Sequence, residues 1–261
     1  MRTTPAAQWL VFTDLDGTLL DHDTYDYRPA LPALGRLRQA GIPVIPATSK
    51  TLAELDDLAQ RLELTGPRVA ENGSVIALPG PPPRITITRP GYAGIRAFLA
   101  QCRQRPGWRF QGFGDMSVEE IADHTGLSPE EAERAAQRLA SEPLLWLGSA
   151  QHMHQFCAYA SDQGLRVLQG GRFVHLLGDT DKGRALQAVT GSWGGPVRSI
   201  ALGDSPNDCD LLLAADIPVI VRRKDGTHLA LPQRPDAIIT QAAGPAGWNQ
   251  AINRLLERTG D

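Results

Sequence analysis

Trp9-Leu10-Val11-Phe12-Thr13-Asp14-Leu15-Asp16-Gly17-Thr18-Leu19-Leu20-Asp21 is the stretch on which the fold turns. An apolar run from Trp9 to Phe12 stops abruptly at two carboxylates one residue apart. A short continuous apolar run is the pattern of a strand buried on both faces, as in a parallel sheet. Gly17 then permits a sharp backbone turn. Two close anions at a buried strand end repel each other and are costly to desolvate. The stretch therefore predicts a bound cation, and a divalent metal suits carboxylate oxygens. A calcium loop fails on spacing. The fifth, sixth and twelfth positions of an EF-hand would be Thr18, Leu19 and Tyr25, where an oxygen ligand, glycine and glutamate are needed.

Outward from this stretch, strand and helix signals alternate. Pro29 opens a helix carrying Leu31, Leu34 and Leu37, and Gly41 stops it. Residues 42–46 read as a second strand, ending at Thr48-Ser49-Lys50-Thr51. Thr51 and Glu54 form a capping box for the next helix. Residues 68–71 read as a third strand ending at Asn72-Gly73, followed by a hairpin over 75–78 and 85–88. This alternation predicts parallel βαβ units.

Near Arg89-Pro90-Gly91 the rhythm changes, and residues 89–178 read as an inserted α+β domain. Helices are predicted over 92–104, 117–125 and 128–140, and strands over 108–113 and 144–147. The stretch 152–162 reads as a segment pairing with or packing on the last of these, with His152 and His154 on one strand face. Two strands, 165–168 and 173–177, form a hairpin about Gly170-Gly171. Core-type signals return with a helix opening at Asp181-Lys182-Gly183. A buried-type strand over 197–202 ends at Gly203-Asp204-Ser205-Pro206-Asn207-Asp208, and a last core strand covers 217–221. Residues 222–234 read as a polar loop and 246–256 as a closing helix.

Composition excludes several classes. Of 261 residues, 42% are hydrophobic and 21% charged, as in an ordinary globular protein. A net charge of −3 leaves no basic footprint for nucleic acid. Cys102, Cys157 and Cys209 form neither a disulfide framework nor a C-x-x-C zinc motif. Neither a signal peptide nor a span of about 18 apolar residues is evident. A cytoplasmic setting without membrane attachment is expected, and the oligomeric state stays open.

In a parallel sheet the C-terminal strand ends share one edge, where ligands bind. The expected edge set is Asp14, Asp16, Thr48, Ser49, Asn72, Asp204 and Asp208, with Lys182 reaching in from a helix start. Hard oxygens and one ammonium suit Mg²⁺ and a phosphate group, and the absence of histidine and cysteine argues against zinc.

D-x-D-G-T-L at the first strand, Thr/Ser at the second, a later lysine and G-D-x-x-x-D resemble the four motifs of the haloacid dehalogenase superfamily. The resemblance implies a doubly wound, Rossmann-like parallel α/β core, 1–88 and 179–261, with an inserted α+β cap, 89–178. It also implies Mg²⁺-dependent phosphatase activity. Asp14 would be the nucleophile, and Asp16 the general acid and then base. Thr48 or Ser49 would hold the phosphoryl group together with Lys182. Asp14, the Asp16 carbonyl and Asp204 would bind the metal, with Asp208 in support.

A longer resemblance runs through Glu71-Asn72-Gly73, Gly112-Phe113-Gly114-Asp115-Met116-Ser117, Thr125-Gly126-Leu127 and Gly171-Arg172-Phe173 with His175. These segments are similar to the mannosyl-3-phosphoglycerate phosphatases, which make the compatible solute mannosylglycerate. The resemblance implies a small-molecule sugar-phosphate substrate. Glucosyl-3-phosphoglycerate is the alternative, since the two sugars differ at one hydroxyl. Glycerate calls for a cation, with Lys50, Arg172 or Arg109 as candidates. Sugar hydroxyls call for Asn72, Glu71, Asp115 or Gln169, and Ser117 is a candidate helix cap whose amides face an anion. Two competing readings are a hexose phosphomutase, which uses the same edge, and a non-catalytic sugar-phosphate binding module.

Overall fold

The structure, a computed structural model, describes residues 7–170 and 172–259. Gly171, at the expected hairpin tip, lies outside the described residues. In chain order the elements are β1 (Gln8–Thr13), α1 (Leu31–Gln39), β2 (Val44–Pro46), α2 (Leu52–Leu62), β3 (Arg68–Ala70), β4 (Val75–Leu78) and β5 (Arg84–Ile87). There follow α3 (Gly91–Cys102), β6 (Phe110–Gly112), α4 (Val118–Thr125), α5 (Pro129–Ala136), β7 (Ser141–Trp146), α6 (Ala150–Asp162), β8 (Leu165–Gln169) and β9 (Val174–Gly178). The chain closes with α7 (Lys182–Gly191), β10 (Val197–Gly203), α8 (Cys209–Ala214), β11 (Ile217–Arg222), β12 (Ile238–Ala243) and α9 (Gly244–Thr259). Among the described residues no helix is long and apolar enough to cross a membrane.

Packing divides the chain into one unit of Met1–Thr48, Glu63–Arg68 and Asp181–Asp261 and another of Ser49–Leu62 and Val69–Thr180. The second unit takes in α2 and the β4–β5 hairpin as well as residues 89–178.

The first unit is built on a parallel sheet of order β12-β11-β10-β1-β2. Leu10, Val11 and Phe12 of β1 are fully buried, as a central strand of a parallel sheet requires. Both neighbours of β1 run in register to its end, with Thr13 opposite Leu202 on one side and Pro46 on the other. The next residues along β1 and β10 are therefore Asp14 and, just beyond Gly203, Asp204. The Ala47 N–H donates to the Thr13 carbonyl at 2.8 Å and brings Thr48 to the same edge. Chain order reverses around β1, and such a reversal opens a crevice at the carboxyl ends of the strands. Trp248 of α9, fully buried, donates from Nε1 to Thr13 Oγ1 at 3.0 Å and ties the closing helix to this strand end.

The second unit contains a sheet of order β3-β4-β5 and an antiparallel sheet of order β6-β7-β9-β8. Helices α3 and α6 cover one face of the latter around Ile95, Leu99, Phe156, Leu144 and Leu176. Ile121, Ala132 and Ala135 form the contact between α4 and α5.

Four expectations are corrected. First, β3 lies in the sheet with β4 and β5 and not in the sheet of β1, β2 and β10. Glu71 and Asn72, at φ of 51° and 56°, turn the chain at once toward β4. Second, 150–162 is helix, not strand. Ser149 caps it by accepting from the His152 N–H, and Phe156 and Ala160, four apart, are its buried face. His152 and His154 therefore share no strand face, and His152 Nδ1 sits 3.1 Å from Ser149 Oγ. Third, α5 ends at Ala136 rather than at 140, because the amides of Leu139 and Ala140 go to the Glu71 carboxylate. Fourth, β11 is not the last strand. β12 adds a parallel edge beyond it, with Ile238 and Ile239 opposite Val219 and Ile220.

Candidate active site

Asp14 leaves β1 into a tight turn. The Leu15 carbonyl accepts from the Thr18 N–H (3.0 Å) and the Leu20 N–H (2.8 Å), and the Gly17 N–H donates to the Leu20 carbonyl (2.9 Å). Gly17 has φ of 84°, and a Cβ there would stand 3.0 Å from Asp204 Oδ2. The turn thus needs glycine for its dihedral and for the approach of Asp204. A Cβ on Gly203 would lie 2.5 Å from the Asp208 Cβ, so glycine lets Asp208 fold back under the strand end.

Lys182, the first residue of α7, is fully buried in its side chain. Its Nζ donates to Asp14 Oδ1 at 2.7 Å and to Asp208 Oδ1 at 2.6 Å. The other oxygen of Asp208 accepts the N–H groups of Asp204 and Ser205, both at 3.1 Å. Asp208 therefore anchors the lysine and closes the strand-end turn at once. Thr18 Oγ1 donates to Asp204 Oδ1 at 3.1 Å. Asp14, Asp204 and Asp208 are all buried, and each offers an oxygen within 4.8 Å of the others. Asp16 and Thr48 lie on the same rim, Asp16 half-buried and Thr48 buried.

Burial, reinforced by the charge of Asp208, holds the Asp14 carboxyl well above the usual carboxylate range despite Lys182 beside it. The same two causes push Asp204 up to about 6, against the hydrogen bond from Thr18 and the nearby Arg223. Burial opposes the charge on Lys182, but Asp14 and Asp208 outweigh it and raise its pKa. Three carboxylates face the Lys182 ammonium and the partly exposed Arg223 guanidinium, 3.7 Å from Asp204 Oδ2, so the cluster stays net negative. Oxygen donors only, closely grouped and net negative, can hold a hard divalent cation.

The remaining sequence candidates fall in the second unit. Glu71 is engaged within the second unit. It is fully buried, and its carboxylate accepts the amides of Leu139 (2.8 Å) and Ala140 (3.0 Å) and the hydroxyl of Ser141 (2.7 Å). Replacing it with alanine is expected to destabilise that unit by about 3 kcal/mol or more, since buried donors lose a charged acceptor. Urea unfolding checks this, and a loss below about 1 kcal/mol contradicts it. Asp115 is likewise occupied, by Arg96, Arg103 and the Gly112 amide. Ser117 caps α4, but its own amide goes to Glu120 in a capping box rather than facing an anion. Ser49 and Lys50 are half-buried, Asn72 is buried, and Arg172 is exposed. The Ser49 carbonyl accepts from Arg138 Nη1 at 2.8 Å, and the Lys50 carbonyl accepts the Glu71 amide at 2.9 Å. Arg109 donates to the Leu147 carbonyl at 3.1 Å, and Gln169 ends β8 exposed. Two contributors to the first unit's cluster escape sequence reasoning, Thr18 and Arg223. Thr18 stands inside the opening motif, whereas nothing in the polar loop distinguishes Arg223.

A buried lysine between two aspartates at the crevice of a parallel sheet defines an α/β enzyme fitted to phosphoryl chemistry. Comparison with known proteins agrees. A sequence profile of haloacid dehalogenase-like hydrolases matches residues 11–81. The glucosyl-3-phosphoglycerate/mannosyl-3-phosphoglycerate phosphatase of Methanococcoides burtonii is 37% identical over 268 aligned positions, covering 95% of this chain and 97% of that protein. Among solved structures, a haloacid dehalogenase-like hydrolase from Bacteroides thetaiotaomicron superposes with a TM-score of 0.71 at 19% identity, over 95% of this chain and 99% of that one. One from B. subtilis gives 0.69 at 18% identity, over 95% and 99%. The chain belongs to the haloacid dehalogenase-like hydrolases, and it is a phosphatase.

Proposed function

We propose that the protein hydrolyses mannosyl-3-phosphoglycerate, or its glucosyl counterpart, to the glycosylglycerate and phosphate. The supporting observation for the chemistry is Lys182, buried between Asp14 and Asp208. The whole-length similarity to the Methanococcoides burtonii phosphatase supports the substrate class.

In this reading an Asp14 carboxylate oxygen attacks phosphorus as the phosphorus–oxygen ester bond breaks. Asp16 gives its proton to the departing glycerate oxygen. Asp16 then takes a proton from water, whose oxygen attacks phosphorus and breaks the bond to Asp14, releasing phosphate. Lys182 and Thr48, with Ser49 next in the chain, hold the phosphoryl oxygens. Asp14, Asp204 and the Asp16 carbonyl would hold Mg²⁺, with Asp208 in support, and the ion would offset charge on the phosphoryl oxygens. The segment 89–178 and the residues Lys50, Asn72 and Arg172 are assigned to substrate selection. Cys102, Cys157 and Cys209 are all free thiols, which accords with a reducing cytoplasm.

The test is phosphate release from mannosyl- and glucosyl-3-phosphoglycerate side by side, against a panel of simple sugar phosphates. One of the two glycosides is expected to give the highest kcat/KM, with stoichiometric phosphate. Phosphoryl transfer to a second sugar without phosphate release would show a mutase instead. Excess EDTA is expected to abolish turnover and Mg²⁺ to restore it. Full activity in EDTA would remove the metal from the reading.

A further inference from the structure

We propose that Arg223 is a positioning residue for the phosphatase reaction, holding the Asp204 main chain so that its carboxylate stays beside Asp14 and Asp208. The inference rests on the reading that Asp14, Asp204 and the Asp16 carbonyl hold Mg²⁺, with Asp208 in support.

Arg223 donates from Nε (3.1 Å) and Nη2 (2.8 Å) to the Asp204 carbonyl oxygen. Its own backbone is fixed. The Arg223 N–H donates to the Thr227 carbonyl at 2.9 Å, and its carbonyl accepts the Gly226 N–H at 3.0 Å. Arg222 Nη1 donates to the Gly226 carbonyl at 2.6 Å across the same turn. A guanidinium presented from a closed turn is a rigid fork, which a flexible lysine does not reproduce. Asp204 is thus held at its N–H by Asp208, at its carbonyl by Arg223 and at Oδ1 by Thr18. These three grips leave Asp204 little freedom to swing its carboxylate away from the cluster. Partners that orient a ligand in this way commonly change metal affinity by about 10–100-fold when removed.

A second role for Arg223 predicts the opposite sign. Its Nε is also 3.7 Å from Asp204 Oδ2. If Arg223 acted only through its charge, it would repel a cation, and removing it would tighten Mg²⁺ binding. Positioning predicts weaker binding on removal, so the direction of the change decides between the two.

The experiment titrates Mg²⁺ into the full chain by calorimetry for the wild type, Arg223→Gln and Arg223→Lys. Metal-free melting temperatures and kcat at saturating Mg²⁺ are measured on the same samples. The glutamine variant is expected to bind Mg²⁺ about 10-fold more weakly. The lysine variant keeps the charge without the fork and is expected to fall between it and the wild type. At saturating Mg²⁺ both are expected to recover kcat to within about threefold, because Arg223 touches no reacting atom. An unchanged or tightened constant in the glutamine variant, with normal wild-type binding, overturns the role of Arg223 and leaves the metal site standing. Absence of Mg²⁺ binding in the wild type itself overturns both.

Discussion

Replacing Asp14 with asparagine is expected to abolish phosphate release, by about 10⁴-fold or more, while raising the melting temperature of the metal-free protein. The amide keeps the shape of the carboxylate, and Lys182 can still donate to its oxygen, but the amide cannot form the bond to phosphorus. The stability gain follows from the direction of the Asp14 shift. Burial, Asp208 and the other neighbouring acids hold its pKa above the usual carboxylate range in the folded chain. An acid whose folded pKa is raised takes up protons on folding, so its contribution is favourable at low pH and is lost as pH rises through the folded value. The ionised Asp14 is a burden that asparagine does not carry, and that burden grows as pH rises through the folded value, so the gain should be larger at pH 8 than at pH 4. Phosphate assays and thermal melts in EDTA at both pH values check this. Retained turnover would end the nucleophile assignment, and a lower melting temperature at pH 8 would contradict the electrostatic account.

The first strand and its acids are legible in the sequence because their signal is local. Trp9 to Phe12 is apolar without interruption, and no stabilising reason exists for Asp14 and Asp16 to follow it. Lys182, Asp204 and Asp208 become legible once Asp14 is in place, since each stands at an element boundary expected to face the same edge. The rest depends on contacts between distant backbone groups, which leave no periodicity. Glu71 looks like a free acid in Glu71-Asn72-Gly73, yet its partners are amides about 70 residues away. Arg223 reads as one charge in a polar loop, and only the fold reveals the carbonyl it grips. Arg234 is similar: it donates to the carbonyls of Leu213, Ala215 and Asp216 around the end of α8. The helix over 150–162 was readable in principle. Ser149 is a good cap, and Met153, Phe156 and Ala160 follow helical spacing, but the polar residues between them mask the pattern. β12 offers only Ile238-Ile239-Thr240, too short to separate from a loop without its partner β11.

The largest loss of stability from one substitution in the cluster is expected at Lys182. Lys182→Met keeps most of the side chain's volume and removes the ammonium. Asp14 and Asp208 then remain buried with no cation, and breaking a buried ion pair on one side commonly costs about 3–5 kcal/mol. The pH dependence identifies the cause. In the wild type Lys182 has a raised pKa, so its contribution is fully present below the unfolded lysine value and is lost only in strong alkali. Between pH 5 and 8 the lysine therefore adds no slope of its own. In the variant Asp14, already raised, is pushed further upward by the loss of the ammonium, and a raised acid favours the folded state more as pH falls. The deficit relative to wild type should be greatest near pH 8 and should shrink toward pH 5, measured by urea unfolding in EDTA. Asp204, at about 6, supplies a slope of the same sign in the wild type, and losing the Lys182 charge that lowers it adds to the same trend in the variant. A triple variant, Lys182→Met with Asp14→Asn and Asp208→Asn, should regain most of the lost stability while remaining inactive, because neutral groups need no counterion. That recovery would show that the charges are held in place against the preference of a buried interior, as a site for phosphoryl transfer requires. A deficit independent of pH, and undiminished in the triple variant, would mean that Lys182 matters for packing rather than for charge.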